Sequence, residues 1–251
     1  MKRKLFILVF LLICLFSFTD TIKTEAATED SFYVNAKAYG FSISNDYKPI
    51  YMKDFKTYEY IYKEKNVVNH STTLVEVLLQ SKSDSSLYCF IYRICASPLQ
   101  VRNNGFLGIG SCGDNWYNDQ IKTTIQFRNE NYKIINFAPQ NQPSKTTGTI
   151  GVGLDKDGPS VSASVDFEHS DLSIVSNTKT ALYKYETIYN YNSNLFHVNS
   201  YLASDVYAYG MVSFRYNGVV WVDVKHEIKY YGHIWYGSNS SAGTVVFENT
   251  Y

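Results

Sequence analysis

The chain has 251 residues, with 23 Lys+Arg against 23 Asp+Glu, and 45% of its residues are hydrophobic. Zero net charge excludes the global positive field that drives phosphate binding, so nucleic acid is not an expected partner, and the apolar content excludes wholesale disorder. Only 18% of residues are charged, while 23 Tyr lift the aromatic share to 16%, a composition of strands rather than helices.

The first residues read as an export address. Lys2-Arg3-Lys4 is followed by an apolar run from Leu5 to Phe18, broken only by Ser17, and then by Glu25-Ala26-Ala27. A positive start, a short apolar core and small residues for cleavage predict a secretory signal over 1–26. The apolar core is too short for a transmembrane helix. Cys14 follows Ile13 rather than a small residue, which argues against lipid attachment. Removal of the signal leaves 19 basic and 21 acidic residues, a net charge of about −2. The expected product is secreted, extracellular and a single domain over 27–251.

Strand signals then recur to the end of the chain, as period-2 alternation or dense β-branched and aromatic content. In order they are Tyr58–Tyr62, Thr72–Gln80, Leu87–Cys95, Ile121–Phe127, Tyr132–Phe137, Gly148–Leu154, Ser160–Phe167, Ala181–Tyr191, Val206–Tyr216, Gly218–Lys229 and Gly243–Phe247. Turn chemistry separates them at Asn103-Asn104-Gly105, at Asp155 to Pro159, and at Asn217-Gly218, where a hairpin is expected. No long amphipathic helix, linker or fixed-period repeat interrupts the pattern. The predicted fold is all-β, an antiparallel β-sandwich with a long amphipathic hairpin.

Past the signal three cysteines remain, Cys89, Cys95 and Cys112. An odd number outside the cell leaves one thiol unpaired or intermolecular. Cys89 and Cys95 share one predicted strand, about 20 Å apart and beyond disulfide reach. Positions 95 and 112 are symmetric about Asn103-Asn104. If those arms form one hairpin, Cys95 faces Cys112 and a bridge is expected there; the alternative is three buried thiols.

Catalytic patterns fall short. Gly108-Ile109-Gly110-Ser111-Cys112-Gly113 has Ile109 where a nucleophile elbow needs glycine. His169-Ser170-Asp171 are chain neighbours, whereas triads gather from distant positions. His226 and His233 are seven apart, not the four of a zinc-protease helix. Glycosidase-type carboxylates can come from anywhere in a chain, so they leave no signature to find. Nothing points to an enzyme, a metal or another cofactor.

The most informative segment runs from Thr146 to Glu168. With Leu154 opposite Val161, one face pairs Val152 with Ala163, Ile150 with Val165 and Gly148 with Phe167. The other pairs Gly153 with Ser162, Gly151 with Ser164, Thr149 with Asp166 and Thr147 with Glu168. One register makes one face apolar and the other small and polar over the whole length. Each arm has about nine residues, near the 9–11 that cross a bilayer as a tilted strand. A lone hairpin would leave its edges unpaired in lipid, so several copies would have to share a barrel. On this reading Ile150, Val152, Leu154, Val161, Ala163, Val165 and Phe167 are the membrane-inserting residues. A sandwich hairpin with one wet face would show the same alternation.

The flanks of the hairpin carry a resemblance. Trp116-Tyr117-Asn118, then Ile134-Ile135-Asn136-Phe137-Ala138-Pro139-Gln140-Asn141-Gln142, then a Thr-rich entry into the hairpin resemble the leukocidin and α-hemolysin family of β-pore-forming toxins. Phe137 takes the aromatic position of that family's pre-stem motif, Ala138-Pro139 match it, and Gln140 stands where Lys is usual. The similarity covers about 116–176. It implies a secreted monomer with a β-sandwich that recognises a membrane lipid or surface receptor and self-associates into a ring. The Trp-Gly that usually follows the stem is absent after Asn177, and the cysteines are atypical of the family. An uncharacterised group of secreted Gram-positive proteins with the same 134–175 pattern is the other resemblance.

Near the C-terminus, Tyr230, Tyr231, Trp235 and Tyr236 crowd into one short stretch. Alternation cannot bury them all, so some are expected at a membrane interface or stacked on a sugar ring, unless both faces of the strand are covered. Two functions therefore stand side by side: a β-barrel pore-forming cytolysin, or a non-lytic extracellular module that binds cell-wall or glycan ligands.

Overall fold

The computed structural model describes residues 29–63, 66–98, 100–104, 111–139, 147–149, 153–154, 166–168, 172–191, 205–233 and 241–251. The expected signal over 1–26 lies outside them. One helix, α1 (Glu29–Ala38), precedes β1 (Ser42–Ile43), β2 (Tyr47–Lys63), β3 (Asn66–Ser81), β4 (Leu87–Ser97), β5 (Gln100–Asn104), β6 (Ser111–Phe127) and β7 (Lys133–Ala138). Then come β8 (Thr147–Thr149), β9 (Gly153–Leu154), β10 (Asp166–Glu168), β11 (Ser173–Ser176), β12 (Lys184–Asn190), β13 (Val206–Arg215), β14 (Val222–His233) and β15 (Ser241–Thr250). A five-stranded sheet has the order β2-β3-β4-β13-β7, and a six-stranded sheet has β11-β12-β6-β14-β15 with β5 also on β6. The pairs within both are antiparallel, so the all-β sandwich expected from the pattern is the fold.

Tyrosine supplies much of the inter-sheet core. Tyr185, Tyr189 and Tyr191 are spaced by even numbers, so all three leave β12 and its end on one face. Each is buried and hydroxyl-bonds a main-chain carbonyl of the facing sheet: Tyr185 to Ala138 at 2.8 Å, Tyr189 to Tyr209 at 2.6 Å, Tyr191 to Tyr207 at 3.2 Å. Their apolar rings fill the core while the hydroxyls satisfy carbonyls that would otherwise be buried without a partner.

The two sheets differ on their outer faces. On β4, Tyr88, Phe90 and Tyr92 point into the sandwich, so Cys89, Ile91, Arg93 and Cys95 point out. That outer face is also covered: Val75, Val77, Leu79, Ile91 and Met211 are all fully buried. The cover includes Phe32, Ala36, Phe41 and Tyr47, with Phe41 edge-on to Tyr209. Burial on both sides explains why Leu87–Ser97 reads as an almost continuous apolar run. Sequence periodicity missed the ten-residue α1, yet its end is well specified. Gly40 at φ +82° lets its own N–H reach Lys37 and that of Phe41 reach Ala36, both at 2.9 Å, closing a Schellman cap.

The outer face of the six-stranded sheet is wet and charged. Lys184, Glu186, Lys122, Glu227, Lys225 and Glu248 form a chain of ion pairs across β12, β6, β14 and β15, at 2.6 to 3.9 Å.

Three sequence expectations are corrected. Asn217-Gly218 is a bend, with Gly218 at φ +151°, but β13 and β14 do not pair; one joins each sheet, so the turn is a crossover between layers. Asn103 and Asn104 are strand residues opposite Cys112 and Ser111 rather than the turn. Ala181 and Leu182, expected to begin a strand, lie in the 3₁₀ turn Thr180–Leu182, which delivers the chain to Lys184.

Candidate functional site

The hairpin singled out above is seen at its base. Thr147 faces Glu168, Gly148 faces Phe167 and Thr149 faces Asp166, the register read from the alternating faces. Ile150, Val152, Val161, Ala163 and Val165 lie outside the described residues, as does the expected Leu154–Val161 pair. Leu154 itself pairs elsewhere: Gly153 and Leu154 run parallel to Ser42 and Ile43, just after the helix that seals the five-stranded sheet. The first arm is therefore tied to its partner arm near its base and to the N-terminal segment further out.

The segment that carries the hairpin connects the two sheets. It is entered from Ala138 on β7 and left into Ser173 on β11. Both points face the end of the sandwich where β12 finishes at Asn190 opposite Gln120. Beyond Gln120 the six-stranded sheet continues in β6 and β14, with Tyr231 opposite Tyr117 and Gly232 opposite Trp116. The chain thus rejoins the six-stranded sheet at Ser173 toward the same end as this extension.

The C-terminal aromatic patch divides. Tyr230 was a candidate surface contact; it is fully buried, its hydroxyl 3.0 Å from Thr72 between the sheets. Odd and even positions of β14 face opposite ways, and Tyr230 shares the inward face of Ile228 and His226. Tyr231 is described by its backbone, opposite Tyr117 and Ala242; Trp235 and Tyr236 lie outside the described residues.

The expected Cys95–Cys112 bridge is absent, because the hairpin meant to carry it does not form. Cys95 is a free thiol in mid-sheet, flanked by Thr73 and Tyr207. Cys112 lies in the other sheet opposite Asn103. Cys89 is also free, and burial pushes its thiol up to about 12 despite the Ser213 hydroxyl beside it.

Sequence reading missed a buried polar network that joins the layers. Glu76 of β3 and His226 of β14 are fully buried, and Nε2 of His226 donates to the Glu76 carboxylate at 3.0 Å. Nδ1 lies 2.8 Å from the Thr123 hydroxyl, within hydrogen-bond distance. The other carboxylate oxygen of Glu76 accepts Asn249 Nδ2 at 3.0 Å and the hydroxyl of Tyr251. Lys53 of β2 donates to Asn249 at 3.0 Å. Burial, then the nearby Glu76 charge, raises the Tyr251 phenol far above its ordinary range. Thr–His–Glu is the order of a nucleophilic triad, but Thr123 is 1% exposed and no substrate carbonyl can reach its hydroxyl. The network is a cross-brace that also anchors the C-terminus. No sequence signal brings positions 76, 226 and 249 together, since only the stacking of the sheets does so.

Among the described residues no cluster of His, Cys, Asp and Glu could hold a metal ion, and no helix is long and apolar enough to cross a membrane.

No protein-family model and no curated protein matches the chain. Solved structures do. One described as a pore forming protein covers 76% of this chain and 96% of its own, with 10% identity and a TM-score of 0.41. The Clostridium perfringens NetB toxin in the membrane inserted form covers 80% of this chain and 94% of its own, with 7% identity and a TM-score of 0.35.

Proposed function

We propose that the chain is a secreted protein that associates on membranes and inserts residues 147–168 as its share of a common β-barrel. The observation that carries this reading is the composition of the hairpin's polar face. Strands of the six-stranded sheet also alternate, but their wet face bears Lys122, Lys225, Glu227 and Lys229. The corresponding face of the hairpin bears Asp166 and Glu168 at its base, beside Thr149 and Thr147, and beyond the base only Gly151, Gly153, Ser162 and Ser164. Small neutral residues suit a strand that must pack in one setting and line a barrel in another; long charged ones suit a permanent solvent face. The two paired ends of the segment fit the same reading, since the β1–β9 contact holds the first arm against the globular body until it is released.

The test is a reversible lock. Ile43 and Leu154 are direct partners. An Ile43→Cys, Leu154→Cys variant, made with Cys95→Ser and Cys112→Ser, closes a disulfide across that pair. Oxidised, it should bind liposomes without releasing trapped dye; reduced, it should release dye at the rate of its Ser-substituted parent. Absence of release by the unlocked protein, across lipid compositions and target cells, would remove the proposal.

A further inference from the structure

The end of the sandwich away from the hairpin carries an aromatic side chain that the core does not use. The Tyr and Phe side chains that the structure describes are all buried or half-buried, whereas Trp221 is 50% exposed. It stands immediately before β14, whose first residue, Val222, is fully buried. Parity therefore sends Trp221 to the outer face of the six-stranded sheet.

Its backbone is held from below. The main-chain N–H of Trp221 donates to the Tyr132 hydroxyl at 2.7 Å, and the Tyr132 ring is stacked on Tyr216 with centroids 3.9 Å apart. Val222 exchanges both main-chain bonds with Tyr251.

Two rows of the outer face meet at this point. In the first, Lys184 faces Gln126, Gln126 faces Asp223, and Asp223 faces Thr250. Continued past the end of the ladder, the same register sets Trp221 opposite Arg128, whose guanidinium lies 5.2 Å from the centre of the indole ring. Arg128 also grips Asp223, through Nε at 3.1 Å and a terminal N–H at 2.7 Å, and Asp223 accepts the Thr250 hydroxyl at 2.8 Å. Aliphatic surface borders the fork. Val219, two residues before Trp221, is 74% exposed, and Leu182, whose carbonyl accepts the Gln126 amide at 3.1 Å, is 59% exposed.

Charge narrows what this surface can hold. A cationic ligand meets an indole already shared with a guanidinium, and like charges repel. A phosphate or sulfate meets an Arg128 whose charge is already matched by Asp223. A purely apolar partner would take the Arg128–Asp223 fork out of water without replacing its hydrogen bonds. A neutral sugar avoids all three costs. One face of its ring presents C–H groups to the indole, and its hydroxyls both donate and accept, so they bond carboxylate and guanidinium together.

We infer that this end of the six-stranded sheet is a binding site for a neutral glycan, with one pyranose ring stacked on Trp221 and its hydroxyls held by Arg128 and Asp223. The site is separate from the C-terminal stretch of Tyr230 to Tyr236. It also goes beyond the pore reading. Gln126 is six residues along β6 from Gln120, about 20 Å from the end of the sheet at which the hairpin segment rejoins it. A glycan held here leaves the hairpin uncovered.

The test needs no membrane, so its outcome is independent of dye release. Labelled protein is applied to an array of neutral, sialylated and sulfated oligosaccharides, and the neutral oligosaccharide retained best is titrated by calorimetry. Neutral oligosaccharides should be retained. Trp221→Ala should weaken the titrated affinity by about tenfold or more, with partial recovery in Trp221→Phe, which keeps a ring. Arg128→Gln, which keeps the indole, should weaken it by about threefold or more. A urea midpoint checks that Trp221→Ala is folded; the bond to Tyr132 comes from the main chain and survives truncation. No retention of any neutral oligosaccharide, or a preference for the sialylated or sulfated ones, would overturn the inference. So would undiminished affinity in folded Trp221→Ala, or a loss confined to Trp235→Ala, which would move the glycan to the C-terminal stretch.

Discussion

The five-stranded and six-stranded sheets share one core but meet different surroundings on their far sides. Ile91, in the middle of the five-stranded sheet, is fully buried on its outer face; Lys122, in the middle of the six-stranded sheet, points outward into a ladder of ion pairs. The first sheet reads as continuous apolar runs, the second as alternation. Alternation therefore marks a wet face, but does not say what kind of wetness. The residue types do: long charges on the outer face of the six-stranded sheet, glycine and serine beyond the base of the hairpin in the sequence pattern of 147–168.

The largest expected effects come from exchanging the two outer faces. Ile91→Lys should cost more than about 4 kcal/mol, because an unpaired ammonium would be buried under α1, and the chain should not reach its folded state. Lys122→Ile, the reverse change on the other sheet, should shift stability by less than about 1 kcal/mol, since surface ion pairs contribute little. Urea unfolding followed by tyrosine fluorescence measures both. A mild Ile91→Lys would mean that the five-stranded sheet is not sealed.

A smaller loss is expected where the two sheets are tied together. Glu76→Ala removes the acceptor of His226, Asn249 and Tyr251 at once, and leaving the fully buried His226 ring nitrogen without its partner costs about 1–3 kcal/mol. Glu76→Leu with His226→Leu should recover most of that loss, because an apolar pair leaves no charge or ring nitrogen stranded. The same urea series checks the recovery.

The smallest effect is the acid response of the wet face. Burial works against ionisation of Glu186, but hydrogen bonds from Lys184 and Asn177 and the charge of Lys122 outweigh it and hold its carboxyl below the usual range. Hydrogen bonds from Arg128 and Thr250 do the same for Asp223. A carboxylate whose folded value is depressed contributes stability above its unfolded value and loses it as pH falls through the folded one. The melting temperature should therefore drop below about pH 4, with a shallower drop in Glu186→Gln. Equal slopes would show that the Glu186 ion pairs contribute nothing.

Much of the fold was legible because strand formation is local. The runs at Leu87–Cys95 and Val206–Tyr216 match strands Leu87–Ser97 and Val206–Arg215 to within two residues, and Thr72–Gln80 and Ile121–Phe127 are the C-terminal parts of the longer strands Asn66–Ser81 and Ser111–Phe127. The base of the hairpin was legible down to its register, since only one pairing puts Phe167 opposite Gly148 and keeps both faces uniform. Where reading failed, the deciding contact was distant in sequence. Cys95 looked available to Cys112 because the chain between them could turn back; instead it crosses to the other sheet. Tyr230 looked exposed because four rings crowd its stretch of chain, yet its parity with Ile228 puts it in the core.

What the sequence determined by itself is therefore the set of strands, the all-β class and the two-faced character of 147–168, each a consequence of side chains alternating every second residue. Only the tertiary structure decided which strands share a sheet, that a helix seals one of them, and that Glu76 and His226 meet between the layers. Those facts depend on which hydrophobic face packs on which, a competition settled over the whole chain at once and by no local run of residues.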